Sequence, residues 1–260
     1  MEFEPRTYRR QINPDALVTF EVVQAETDLQ VSAASECATP AHEVVRELRG
    51  ALEGYIGTHR RFAESYVPMA VEADAPEIVR AMAAAAAAAG VGPMAAVAGA
   101  VAERVAKRLL AYSADVIVEN GGDIYLAGAG ERRVLLVAGS SPLSGRVAIA
   151  LGASDLPAAV CTSSGIIGHS VSLGAAHAAT VIANDGALAD AVATGLGNRV
   201  HGPENIEEAL AYAHSVPGVR GAVVIVGDRI GAIGEVRLVP VEGPGAGGPA
   251  TTTTERHADG

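Results

Sequence analysis

Apolar and polar positions change period several times along the chain, and each change marks an element. Residues 16–23 put Val18, Phe20 and Val22 on one face, the period of two expected of a half-buried strand. Residues 25–28 then read as a turn and 29–33 as the returning strand. From Thr39-Pro40 the period becomes helical, with Thr39 as N-cap and Pro40 as first helical residue. Val44, Val45, Leu48, Leu52, Tyr55 and Ile56 form the apolar face of that helix. His59-Arg60-Arg61 reads as a solvated loop or, because Arg suits phosphate, as a phosphate-contacting corner.

Asp74 and Glu77 form a capping-box-like pair ahead of a helix that runs through alanines to Gly90, its C-terminal glycine. A break at Val91-Gly92-Pro93 precedes a second helix over residues 94–112, where Val97, Val101, Val105 and Leu109 make one stripe. Gly99 lowers the stability of that helix, which implies close packing against it. Residues 81–102 carry no charge and are long enough to span a bilayer. They are mostly Ala and Gly, however, and Gly90, Gly92 and Pro93 interrupt them, so two helices fit better than a span.

Residues 115–119 and 123–127 read as strands around Asn120-Gly121-Gly122, a hairpin signal because Asn and Gly accept positive φ. The glycine amides of that turn also suit an anionic or heterocyclic ligand. Further strands are expected at 133–138, 146–151 and 158–161, a helix at 203–216, and closing strands at 222–226, 229–235 and 236–239. Pro240 ends the last of these, since it has no amide to donate to a ladder. Residues 242–260 are low-complexity and expected to be disordered. Strands and helices do not alternate regularly, which predicts an α+β fold, mostly antiparallel sheets packed with helices, in one body over residues 1–241.

Composition narrows the function. A net charge of −11 argues against a nucleic-acid partner, whose phosphates need clustered Lys and Arg. The 2 cysteines, Cys37 and Cys161, are far apart and make no disulfide framework. The first residues have no apolar core or cleavage site, so no secretory signal is expected. The expectation is a cytoplasmic protein with no membrane partner.

Candidate chemistry gathers in residues 161–199. Thr162-Ser163-Ser164-Gly165 supplies hydroxyls and a flexible backbone suited to phosphate or flavin contacts, or makes an ordinary strand-to-loop turn. Asp190 and Thr194, four apart in a helical stretch, put a carboxylate and a hydroxyl on one face. Such a pair suits Mg²⁺, or is a surface Asp beside a back-bonded Thr. Cys161, His169 and His177 lack the short-spacing ligand pairs of a zinc site. Neither a Walker loop nor a G-x-S-x-G elbow is present.

Asn120-Gly121-Gly122-Asp123, Thr162-Ser163-Ser164-Gly165 and Ala189-Asp190-Ala191-Val192-Ala193-Thr194, in that order, resemble the motifs of the ApbE superfamily, FAD:protein FMN transferases that depend on Mg²⁺. The similarity runs over about residues 8–240. It is strongest to a small, leaderless, uncharacterised branch, through Glu26-Thr27-Asp28-Leu29, Gly90-Val91-Gly92-Pro93-Met94 and Gly168-His169-Ser170. It implies an ApbE-like fold, Mg²⁺ on Asp190 and Thr194, and FAD or FMN held by Asn120, Gly121, Gly122, Asp123, Thr162, Ser163, Ser164, Gly165 and Ser170. His169 or Asp185 would be the acid–base group, a nucleotide the small-molecule partner and a protein hydroxyl the acceptor.

The chain departs from the transferase pattern in two places. Glu119 stands where the turn's first Asn belongs, and the family's H-I-I-D-P-x-T-G segment is reduced to His169-Ser170-Val171-Ser172-Leu173-Gly174. Two other classes therefore stay open. One is sulfur or acyl transfer through a Cys161 thiolate on the same fold, against which stands the frequency of buried, inert cysteines. The other is a non-catalytic module that binds a ligand or a partner.

Overall fold

The computed structural model of the protein describes residues 17–164 and 174–241. β1 (Val18–Gln24) and β2 (Thr27–Ala33) form a hairpin, followed by α1 (Ala38–Thr58), α2 (Arg60–Glu64), α3 (Glu77–Ala89) and α4 (Val97–Leu109). Next come β3 (Val116–Asn120), β4 (Asp123–Ala127), β5 (Arg132–Leu135), β6 (Val147–Leu151), β7 (Ala158–Ser163) and β8 (Ala178–Ala183). The order closes with α5 (Gly186–Gly197), α6 (Ile206–Ser215), β9 (Val219–Val226), β10 (Arg229–Gly234) and β11 (Leu238–Pro240).

Among the described residues, eight strands make one sheet in the order β1-β2-β3-β4-β7-β8-β9-β10, and β11-β6-β5 make a second of three. Every described pairing is antiparallel, so the fold is α+β with antiparallel sheets packed with helices. The large sheet is apolar on both faces. On β7, Ala159 and Cys161 join the core beneath the helices, whereas Ala158 and Val160 join the core between the two sheets. β8 divides the same way, with Ala179, Val181 and Ala183 towards the helices and Ala178 and Ile182 away from them. The period of two thus assigns each polar residue of β4 and β7 to one layer, which fixes what it can meet.

The uncharged run folds as two helices bent by 103°, and among the described residues no single helix is long and apolar enough to cross a membrane. Gly90 adopts the left-handed conformation at φ 71° and closes α3. The break is a 3₁₀ turn over Pro93–Ala96, and α4 begins only after it.

Several local expectations are corrected. Helix α1 starts at Ala38, ahead of Thr39-Pro40, because the Glu36 carboxylate accepts the Ala38 amide at 2.9 Å. Pro40 still falls in the first turn, where a missing N–H has no helical partner to lose. Asp74 and Glu77 form no capping box; α3 starts at Glu77 with Pro76 in the cap position and no side-chain cap. His59-Arg60-Arg61 leads into the short helix α2 rather than a loop, because Phe62 is buried and anchors it. In the β3–β4 hairpin, Asn120 pairs with Asp123 and the two turn residues are Gly121 (φ 67°) and Gly122 (φ 105°). Asn120 is therefore free to use its side chain elsewhere.

Candidate functional site

The turn between β3 and β4 is held from within and from α4. Glu119 Oε1 accepts the Gly122 amide at 2.8 Å, and Asn120 Nδ2 donates to the Ala98 carbonyl at 3.1 Å. Asp123 follows as the first residue of β4. The β4–β7 register pairs Ile124 with Val160. Asp123 and Cys161 therefore stand side by side on the helix-facing layer. The Thr162 amide donates to Asp123 Oδ1 at 3.2 Å, and the Cys161 thiol hydrogen-bonds the same carboxyl. Cys161 Sγ also lies 3.7 Å from the Gly186 carbonyl oxygen, the alternative acceptor for its single S–H.

Above this patch α4 and α5 cross with backbones in contact. Asp190, inside α5, sends Oδ2 to the Gly99 amide at 2.9 Å. In return Glu103 Oε2 accepts the Gly186 amide at 2.7 Å, and its other oxygen holds the Lys107 ammonium. Both amides belong to first turns of helices, where an N–H has no partner in its own helix. Asp123, Cys161 and Asp190 thus come together from three separate stretches of the chain.

Burial sets the electrostatics. Desolvation pushes the Asp190 carboxyl up to about 7, although hydrogen bonds from the Gly99 and Ala98 backbone oppose the shift. Desolvation also raises Asp123, and the nearby Asp190 charge adds to it. The Cys161 thiol is raised by burial and by the Asp123 and Asp190 charges, which holds it protonated. That environment opposes the thiolate required by Cys161-dependent transfer.

The remaining predicted residues divide. Ser163 lies two positions beyond Cys161 on the same layer, is buried, and its Oγ has no hydrogen-bond partner among the described residues. The Thr162 hydroxyl faces the other layer and pairs with Thr180 Oγ1 at 2.9 Å, so only its amide reaches Asp123. Ser164 is half-buried just past β7, and Thr194 is half-buried one turn beyond Asp190 on α5. Asp185 caps α5, accepting the Leu188 amide at 2.8 Å, and lies more than a turn from Asp190. His177 Nδ1 meets the Gly227 amide at 3.2 Å, a structural contact. Gly165, His169 and Ser170 lie outside the described residues. Glu103 and Lys107 were missed, although a glycine at position 99 of a helical stretch pointed to their neighbourhood.

The donors fit a hard cation. Among the described residues no three or more His, Cys, Asp or Glu side chains form a metal cage. Mg²⁺ needs no such cage, because it binds through one or two carboxylates and keeps water and phosphate for its other positions. Asp190 offers a desolvated carboxylate, and Thr194 a hydroxyl one turn further along the same helix; two hard oxygen donors suit Mg²⁺ better than zinc.

The family model described as AbpE bacteria matches residues 9–236. The chain belongs to that family. UPF0280 protein MJ1526 of Methanocaldococcus jannaschii is 44% identical over 201 residues, covering 75% of this chain and 82% of the relative. A UPF0280 protein of Methanopyrus kandleri is 40% identical over 225 residues, covering 84% and 91%. Among solved structures, the flavin transferase ApbE of Vibrio cholerae superposes with a TM-score of 0.55 at 16% identity, over 85% of this chain and 97% of that one. The ApbE protein of Thermotoga maritima gives 0.55 at 12% identity, over 83% and 96%. At such identities the likeness is one of fold, and the fold of this family is ApbE-like.

Proposed function

We propose that this protein binds FAD at the Asp123–Asp190 patch together with Mg²⁺ and transfers its FMN moiety to a hydroxyl of an acceptor protein, in the cytoplasm. The observation that carries the reading is the convergence of three separated stretches on one helix-covered patch, where the Ser163 hydroxyl is buried without a partner among the described residues. A buried hydroxyl left unsatisfied costs free energy, so it marks a place where a ligand's polar atom completes the structure. The flavin transferases of the same fold support the choice of ligand. Two buried free cysteines suit a reducing compartment.

Asp190 and Thr194 would hold Mg²⁺, whose charge, when bound, neutralises a pyrophosphate. Ser163 and the Gly121 amide of the Gly121-Gly122 turn would orient the flavin nucleotide; Glu119 holds the Gly122 amide, and Asn120 keeps that turn docked on α4. The covering helices exclude water from the carboxylates. In the reaction the acceptor oxygen bonds to the FMN phosphorus, the pyrophosphate bond breaks, AMP leaves, and the acceptor proton passes to a base, for which His169 and Asp185 are the candidates.

Incubation with FAD and Mg²⁺ tests this, read by AMP release and by flavin absorbance on the protein after desalting. Neither AMP nor bound flavin would sink the reading. Bound flavin without AMP would reduce it to a ligand-binding module on the same site.

A further inference from the structure

Glu103 is a buried acid on α4 to which the reading above assigns no role. The Gly186 amide that it holds is the first of α5, and Asp190 lies four residues further along that helix. The Gly99 amide that Asp190 holds is in the first turn of α4, and Glu103 lies four residues further along it. Each helix therefore presents a glycine and, one turn on, an acid, and each acid caps the other helix. With glycine against glycine at the crossing, no side chain cushions the two backbones. The position of α5 along α4 then follows from these two hydrogen bonds. Where α5 sits decides how the Asp190 carboxylate meets Asp123 and Cys161 on the sheet below.

We propose that Glu103 is a positioning residue for the cation site at Asp190: by reaching the Gly186 amide it sets where α5 places that carboxylate. The proposal rests on Asp190 binding a divalent cation. Its physical content is reach rather than charge. Lys107 partners the outer oxygen of Glu103 and is itself more than half exposed, so it can turn to water if that oxygen loses its charge. The inner oxygen has no substitute, because a shorter side chain on the same backbone cannot reach Gly186.

The test varies reach and charge separately in the full chain. Mn²⁺ stands in for Mg²⁺ and is read by its free-ion EPR signal, with a metal-free thermal melt of each variant alongside. Glu103→Gln keeps the reach without the charge, Glu103→Asp keeps the charge without the reach, and Glu103→Asn keeps neither. Residues that support a metal ligand typically govern about 10–100-fold in affinity, so both short variants are expected to lose about 10-fold and Glu103→Gln less than about 3-fold. Asn and Gln differ only in length, so that comparison holds even if the Asp variant fails to fold. Short variants that melt lower yet bind Mn²⁺ like the parent overturn the proposal, leaving Glu103 a stabilising cap. A Glu103→Gln loss equal to that of Glu103→Asp overturns it too. Parent binding that is absent, or that Asp190→Asn leaves unchanged, overturns the cation reading of Asp190 and this proposal with it, which tells the two failures apart.

Discussion

Gly99 and Gly186 meet backbone to backbone. A Cβ at Gly99 would stand 2.1 Å from the Gly186 carbonyl oxygen, and one at Gly186 would stand 2.4 Å from that of Gly99. The atoms in the way are main chain and cannot swing aside. Gly99→Ala gains up to ~1 kcal/mol in helix propensity, yet overpacking costs about 1–3 kcal/mol and more where nothing yields. A net loss of stability is expected in urea unfolding for Gly99→Ala and for Gly186→Ala. Unchanged midpoints would mean that the helices do not cross here.

Asp190 makes the metal-free protein sensitive to pH in a defined direction. Its carboxyl is raised from 3.8 to about 7, so folding favours the protonated form. The stability that this contributes is present in full below the unfolded value near 3.9 and is lost as pH rises through 7. Asp190→Asn removes this contribution, and its melting temperature relative to the parent should climb between pH 4 and pH 8. A constant difference across that range would contradict the raised value.

Metal binding should follow the same group from the other side. A cation needs the ionised carboxylate, so binding below pH 7 releases a proton. Mg²⁺ affinity is expected to rise with pH up to about 7 and to flatten above it. Calorimetry in two buffers of different ionisation enthalpy reads the proton directly.

Cys161 should be inert in the folded state. It is 1% exposed, and burial with two neighbouring acids raises its thiol. A thiol reagent at pH 7.5 is expected to modify it only after denaturation. Fast reaction of Cys161 in the native protein would return sulfur or acyl transfer to consideration.

Ser163→Ala separates ligand binding from folding. Its hydroxyl has no partner among the described residues, so its removal should leave stability unchanged or raise it by about 1 kcal/mol. Losing one hydrogen bond of about 0.5–1.5 kcal/mol should weaken FAD binding roughly 2- to 10-fold. Equal affinity in a flavin fluorescence titration would remove Ser163 from the site.

The amino-acid pattern alone determined the elements and the motifs. Period-two alternation located β1, short apolar runs located β3 and β7, the four-residue stripe located α4, and Gly90 and the Gly121-Gly122 turn marked their stops, because each depends on neighbours in sequence. The Asp190 and Thr194 spacing on one helix was legible for the same reason. Helix starts were misjudged where a neighbour outside the usual cap motif took over, as Glu36 does at Ala38. Only the tertiary structure decided which chemistry shares a site. The bond from Gly186 to Glu103 spans 83 positions and that from Gly99 to Asp190 spans 91. Such pairs form through strand register and helix crossing, which local periodicity does not encode. The same register turned the Thr162 hydroxyl away from Asp123 and left that of Ser163 on the helix-facing layer, a difference of one residue that becomes a difference of face once the strand is placed in its sheet.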